Sequence, residues 1–495
     1  MKISTLWLNN YYLYLTIGII GSVVGILVGV QPLLLCLMVA TTIALFCFFN
    51  YFELSVLGLL ILRSSLDIFS DLQVPAAFAI AIDGLTMLYV VVMLATGKQI
   101  KTDRFWWLFA GWTGLQSMWL FLMFFGGLGL NSSFLPISIR EFARLFSWLM
   151  VYLLVMQLKG KIRPSLFINI LMLSLIIPTS VAFLQVFLPE GMLPPLLVYA
   201  AESDIEVIGE GSRVFGTLGH PNGLAKFLFL FIALTWWQLE RSEKRWHWFL
   251  LMLVLVFFLV STQALFAIGM LGVFVVVRMI QQISLSRLIA GLFLFALFIG
   301  LFASTELGLE RLNSISNTPL LNPDIGVSQA ILLYEGNSFN WRIAQWTYLL
   351  QAWQKFPIFG YGLNGTLGIP VFFNYAHNDY VRALVDGGIV GLVVFLAFQG
   401  AQLARILRLY LNAKPKSDAH RLYSILLAIF LSFSISMATD NTWSNTVVYF
   451  YWWSILAVAG WDWDRSQEDM SGMLSEEIGR NNRSNYSILV ERPIE

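Results

Sequence analysis

Long apolar runs separated by short polar turns follow one another along almost all of this 495-residue chain. Many approach the roughly 20 residues that a helix needs to cross about 30 Å of hydrocarbon. Alternating ten-residue strands are absent from the pattern, so it predicts a helical bundle and not a barrel. The expected fold is all-α, a polytopic membrane bundle of about 12–14 transmembrane helices with a large exocytoplasmic loop region. The predicted spans lie near 12–30, 33–50, 52–66, 76–96, 105–126, 141–158, 165–188, 222–240, 246–261, 264–278, 285–304, 381–409, 420–438 and 446–461.

Composition agrees: 58% of residues are hydrophobic and 12% charged, against roughly 45–50% and about 25% in a soluble domain. Lys2 precedes an apolar segment without a small-x-small cleavage site, so the first span reads as uncleaved. Basic clusters at Lys98/Lys101/Arg104, Lys159/Lys161/Arg163, Arg241/Lys244/Arg245 and Arg405/Arg408/Lys414 fall on one side when both termini are cytoplasmic. The net charge of +1, with no basic stripe, gives no sign of nucleic acid. Cys36 and Cys47 share one apolar run, which makes a disulfide implausible.

This topology divides the chain into N-terminal helices (1–188), an outer loop (189–221), central helices (222–304), a second outer loop (305–379), C-terminal helices (380–461) and a polar cytoplasmic tail (462–495) expected to be disordered. Loops this long are uncommon unless they are functional. Within the second, 340–356 predicts a helix, with Trp346, Leu349, Leu350 and Trp353 at helical spacing, followed by a flexible glycine turn from Gly360 to Gly365. Among ionisable residues in the apolar runs, Arg63 and Asp67 are spaced to neutralise each other, as are Arg382 and Asp386, which would make both pairs scaffold. No His/Cys or Asp-x-Asp spacing suggests a metal, and neither a phosphate-binding Gly-Lys-Ser/Thr loop nor a serine elbow appears. No cofactor is expected.

Three strings carry a resemblance. They are Arg213-Val-Phe-Gly216 running to His220-Pro221-Asn222-Gly223, Asn340-Trp341-Arg342 running to Pro357-Ile-Phe-Gly360-Tyr-Gly362, and His377-Asn378-Asp379 running to Asp386-Gly387-Gly388-Ile-Val-Gly391. Together they resemble the O-antigen ligase and O-antigen polymerase superfamily of membrane glycosyltransferases, over about 205 to 395. A usual Thr-x-Ser-Arg-Gly segment is replaced here by Ser261-Thr262-Gln263-Ala264-Leu265, without the arginine.

The resemblance implies a GT-C-like, metal-independent enzyme at the outer face of a bacterial inner membrane. It would transfer glycan from an undecaprenyl-pyrophosphate donor to a sugar hydroxyl. His377 would be the general base, since imidazole exchanges protons near neutrality. Arg213, Arg342, Asn378 and His220 would contact pyrophosphate or glycan, guanidinium being suited to paired phosphate oxygens; Arg140 and Arg144, which the predicted topology puts at an exocytoplasmic helix start beside that site, are further candidates for the pyrophosphate. Each has a plainer reading: Arg213 as counter-ion to its five acidic loop neighbours, Arg342, Arg140 and Arg144 as lipid-headgroup contacts, and His220 as a residue bonded to backbone at a helix start. The expected activity is that of a surface-polysaccharide polymerase. A ligase acting on lipid A-core, a protein O-glycosylating enzyme and, from another class, a bicarbonate-like solute transporter stay open. Partners implied are the lipid-linked donor, the glycan or lipid A-core acceptor and membrane lipid, with a flippase and a chain-length regulator as further candidates.

Overall fold

In this computed structural model, residues 32–198, 213–282, 289, 300, 338–369 and 374–463 are described. They form fourteen α-helices and no β-strand. In chain order these are α1 (Pro32–Asn50), α2 (Phe52–Leu62), α3 (Val74–Ala95), α4 (Arg104–Phe124), α5 (Leu135–Met156), α6 (Pro164–Leu171), α7 (Ile176–Phe187), α8 (Pro221–Arg241), α9 (Arg245–Ser261), α10 (Leu265–Gln282), α11 (Ser338–Trp353), α12 (Asp379–Asn412), α13 (Asp418–Ser436) and α14 (Thr446–Ala459). The predicted span 12–30, all of 285–304 but residues 289 and 300, most of the tail, and most of the acidic part of the first loop lie outside the described residues.

Side-chain caps set several starts by accepting otherwise unpaired backbone N–H groups. Asp103 accepts from Trp106 N at 2.7 Å to begin α4, and Asn445 accepts from Val448 N at 3.0 Å to begin α14. Among the described residues, five stretches are long and apolar enough to cross a membrane: Val74–Ala95, Pro164–Phe187, Pro221–Arg241, Asp379–Asn412 and Asp418–Ser436. The second is α6 and α7 joined by a 3-10 turn at Met172–Leu175, where the sequence predicts one continuous span.

Contacts divide the chain into two units, Met1–Leu59 and Leu60–Glu495. In the first, Phe48 meets Phe49 and Phe52 edge-on, at 5.5 and 5.3 Å between ring centroids. In the second, α8 and α14 are buried on almost every side, while α3 leaves most of its surface open. α8 packs against α9, α13 and α14, and α5 bridges α14, α4 and α3. An aromatic core joins α4, α5, α12 and α14: Trp112 stacks on Phe398 at 4.2 Å, and Trp148 on Tyr449 at 4.8 Å. In lipid such close shape fit, and not water exclusion, holds helices together.

The longest helix is broken. Gly388 in α12 sits at φ 65°, ψ −164°, which interrupts the backbone ladder. The freed groups are taken up by residues 357–362. Tyr361 N and Gly362 N donate to Val385 O and Asp386 O at 3.0 and 2.8 Å, while Ile389 N and Val390 N donate to Pro357 O and Ile358 O at 2.8 and 3.2 Å. Backbone at membrane depth must find partners in protein, so the two glycine-rich strings meet here for a structural reason. The stretch that the sequence predicts as a flexible turn is therefore pinned along its length, and the span predicted at 381–409 is two segments.

Candidate functional site

His377 lies between two fixed elements. On one side, α11 clamps the segment that precedes the histidine: Gln345 Nε2 donates to Tyr375 O at 2.8 Å and Trp346 Nε1 to Ala376 O at 2.6 Å. On the other, the Asn378 side-chain oxygen caps α12 by accepting from Tyr380 N and Val381 N, both at 3.0 Å. That oxygen, assigned to substrate by the sequence pattern, thus serves the helix start. Between them His377 adopts φ 47°, a left-handed backbone that a residue with a Cβ keeps only when its surroundings impose it. Its N–H donates to Asn441 Oδ1 at 2.8 Å. The imidazole is about one-fifth exposed (21%), and its Nδ1 lies 3.3 Å from Asp440 Oδ1. Nε2 makes no hydrogen bond among the described residues. The ring meets Trp341 edge-to-face at 5.2 Å.

Behind the histidine is an ion pair that sequence reasoning missed. Asp440, 2% exposed, has Lys226 Nζ 2.6 Å from its Oδ2, and Lys226 is 3% exposed. Lys226 also donates to Asn441 O at 3.1 Å. Burial alone would raise the Asp440 carboxyl, but Lys226 and then His377 outweigh it and hold it well below the usual carboxylate range. An ionised Asp440 favours a proton on His377 Nδ1, which leaves Nε2 as the acceptor nitrogen. The available signal was a lone lysine inside the apolar run Leu224-Ala-Lys-Phe-Leu228, and a lone aspartate in the turn between the last two helices.

The first arginine string wraps around the start of α8. Arg213 Nε donates to Thr262 O and its Nη2 to Asn222 Oδ1, both at 3.2 Å. The turn lacking the family's arginine is therefore the turn that receives Arg213. Gly216 and Gly219 approach other backbone of this chain: a Cβ would lie 2.9 Å from Pro178 O at the first and 3.3 Å from Asp67 O at the second. His220 is the helix-start residue, its Nδ1 accepting from Asn222 N at 3.0 Å. Its outer edge is exposed, yet enclosure by protein, followed by Arg213, lowers the ring to about 4. Lys226 and His377 push the same way and Asp440 opposes them, so all five groups share one electrostatic neighbourhood. Arg213 and His377, 164 positions apart by number, are thereby brought to one place.

The remaining cations differ in setting. Arg382 is buried and fully engaged: Nε with Asp386 at 3.2 Å, Nη2 with Glu141 and Asn364 at 2.9 Å each, and Nη1 with Ser444 Oγ at 2.5 Å. It ties α5, the 361–365 loop, α12 and the approach to α14 together. Arg144 pairs with Glu141 and donates to Ser444 O at 3.0 Å, so it belongs to the same brace. Arg63 and Asp67 pair at 2.6 Å, within 3-10 turns. Arg140, one turn before Arg144, is exposed. Arg342 is half-buried on α11 beside Trp341. No group of three metal-ligating side chains occurs among the described residues. An apolar groove of about 420 Å³ runs between α7 and α9, lined by Thr179, Ser180, Phe183, Leu184, Val254 and Phe258. Its Phe258 end is one helical turn from Thr262, the Arg213 anchor, through the Thr262 N to Phe258 O bond of 3.1 Å.

Helices of this length and apolarity, enclosing a partly exposed histidine backed by a buried ion pair, define a polytopic helical membrane protein with a polar site at one end of the bundle. Residues 247–396 match the family described as O-antigen ligase, which supports the resemblance to the O-antigen ligase/polymerase-like superfamily. The match spans less than half the chain; it includes Arg342 and His377, and leaves Arg213, Lys226 and Asp440 outside. No curated protein matches the chain.

Proposed function

We propose that this protein is a metal-independent glycosyltransferase that polymerises a surface polysaccharide, moving a growing glycan from an undecaprenyl-pyrophosphate donor to a sugar hydroxyl at the outer face of the inner membrane. The observation that carries the reading is the His377–Asp440–Lys226 chain beside Arg213. His377 Nε2 takes the proton of the acceptor hydroxyl. The acceptor oxygen attacks the anomeric carbon while its bond to the pyrophosphate oxygen breaks, inverting that centre. The resulting imidazolium sits against ionised Asp440, and Lys226 keeps that carboxylate charged. Arg213, with Arg342 and the exposed Arg140, neutralises the pyrophosphate as its charge grows. The groove between α7 and α9 offers an apolar seat leading toward Arg213, which suits a lipid-borne donor.

A ligase using the same donor is the second reading, favoured by the printed description of the matching family. Both are tested by reconstituting the protein with a defined lipid-linked oligosaccharide and reading products by mass spectrometry. A polymerase lengthens the lipid-linked glycan; a ligase moves it to lipid A-core when that is supplied. His377→Ala and Arg213→Ala, folded normally, should each lose at least about 100-fold in turnover. Full activity in either variant removes that residue from the mechanism.

A further inference from the structure

We propose that Asn441, in the turn between α13 and α14, is the residue that positions His377 for proton transfer; this rests on His377 acting as the base. Asn441 faces two ways. Its side-chain oxygen accepts from His377 N at 2.8 Å, and its own carbonyl accepts from Lys226 Nζ at 3.1 Å. One residue thus links the backbone of the histidine to the cation behind Asp440. The turn that carries it grips the start of α12 at further points: Asp379 N donates to Met437 O at 2.7 Å, Trp443 N donates to Asp379 Oδ2 at 2.6 Å, and Asp440 Oδ1 lies 3.3 Å from His377 Nδ1. The turn is itself closed by Asp440 N donating to Ser436 O at 2.9 Å, with the Ser436 and Thr442 hydroxyls 2.8 Å apart.

The peptide group that joins Ala376 to His377 is held at both ends. Trp346 Nε1 donates to its oxygen at 2.6 Å, and its N–H donates to Asn441 Oδ1 at 2.8 Å. On the far side, Asn378 is committed to the start of α12. With that peptide plane fixed, φ 47° decides in which direction Cβ and the imidazole leave the chain. A residue with a side chain quits the left-handed region once nothing holds it there. Of the bonds from the turn, the one made by Asn441 reaches the His377 backbone, so it keeps the ring aimed at Asp440. Direction matters for the chemistry, because reacting groups displaced by about 1 Å lose about 100-fold in rate. Asn441 acts through the histidine: its side-chain oxygen is already occupied by the His377 N–H.

The test compares steady-state transfer by the full chain in liposomes for wild type, Asn441→Ala and Asn441→Asp, with donor and acceptor oligosaccharide each varied in turn. Asn441→Ala should lower kcat about 30-fold and leave both KM values unchanged. Asn441→Asp, which keeps an acceptor oxygen in place, should recover most of that loss. Asn441→Ser, polar but one bond too short to reach the N–H, replaces the alanine variant if that one does not fold, with the same loss expected. A second readout needs no glycan: the rate at which diethyl pyrocarbonate modifies His377, followed by peptide mass spectrometry against exposed His247. Release of the ring should raise that rate severalfold in Asn441→Ala and leave it near wild type in Asn441→Asp. Unchanged kcat in Asn441→Ala overturns the proposal, as do a rise in either KM at constant kcat, failure of the aspartate to rescue, and His377 labelling equal to wild type. If wild type itself transfers no glycan, the glycosyltransferase reading fails first and this one falls with it. If wild type transfers and Asn441→Ala matches it, only the positioning role is lost.

Discussion

Lys226 Nζ stands 2.6 Å from Asp440 Oδ2, inside the bundle and out of water. Removing one partner of such a pair strands the other, a loss of about 3–5 kcal/mol, whereas replacing both by apolar groups is often close to neutral. Asp440→Asn should therefore lower both thermal stability and, by about 100-fold, glycan transfer. Adding Lys226→Met to it should restore stability without restoring transfer. If the double variant regains turnover, Asp440 does not act through His377.

Arg382 is expected to act as scaffold. Arg382→Lys keeps the charge but cannot reach Glu141, Asp386, Asn364 and Ser444 together. Thermal unfolding should show a loss of about 2 kcal/mol or more, with the donor KM of the surviving folded enzyme unchanged. A selective rise in donor KM would instead make it a pyrophosphate ligand.

A methyl group at the α12 break has nowhere to go. A Cβ on Gly388 would fall 2.2 Å from Ile358 O, and one on Gly360 2.4 Å from Val385 O, and both residues have positive φ. Gly388→Ala and Gly360→Ala should each destabilise by about 3 kcal/mol or more. Gly400→Ala is the control, because nothing lies within 4 Å of its Cβ. Equal melting temperatures for all three would contradict the closure of the break.

Acid should weaken the α8 start through His220. An unperturbed histidine takes up a proton near pH 6.5, but His220 in the fold stays neutral until about 4. Between these values the unfolded chain binds more protons, so this contribution is complete above about pH 6.5 and is lost as pH falls toward 4. His220→Asn, which can still cap, should flatten the stability curve across that window. A slope identical to wild type would show that His220 does not contribute it.

The bundle was readable because lipid imposes a simple grammar: an apolar run of sufficient length is a helix. Twelve of the fourteen predicted spans fall on described helices, and α11 emerges from the long loop within a few residues of its predicted ends. His377 stood out because it heads the string His377-Asn378-Asp379 running to Asp386-Gly387-Gly388, which carries the resemblance, and because imidazole exchanges protons near neutrality. Lys226 and Asp440 did not, since their meaning lies in a contact across 214 positions, and each alone resembles an isolated polar residue in an apolar or turn context. The glycines from Gly360 to Gly365 were visible but read as a flexible turn. Spacing shows that glycine is needed, and cannot show that another stretch of backbone pins it.

The seam across α12 has an evolutionary corollary. Four N–H to carbonyl bonds close it, and none depends on what the side chains of Ile358, Phe359 or Ile389 happen to be. Drift at those three sites should be broad among natural variants, limited only by oiliness, while Gly360 and Gly388 are held by what they lack.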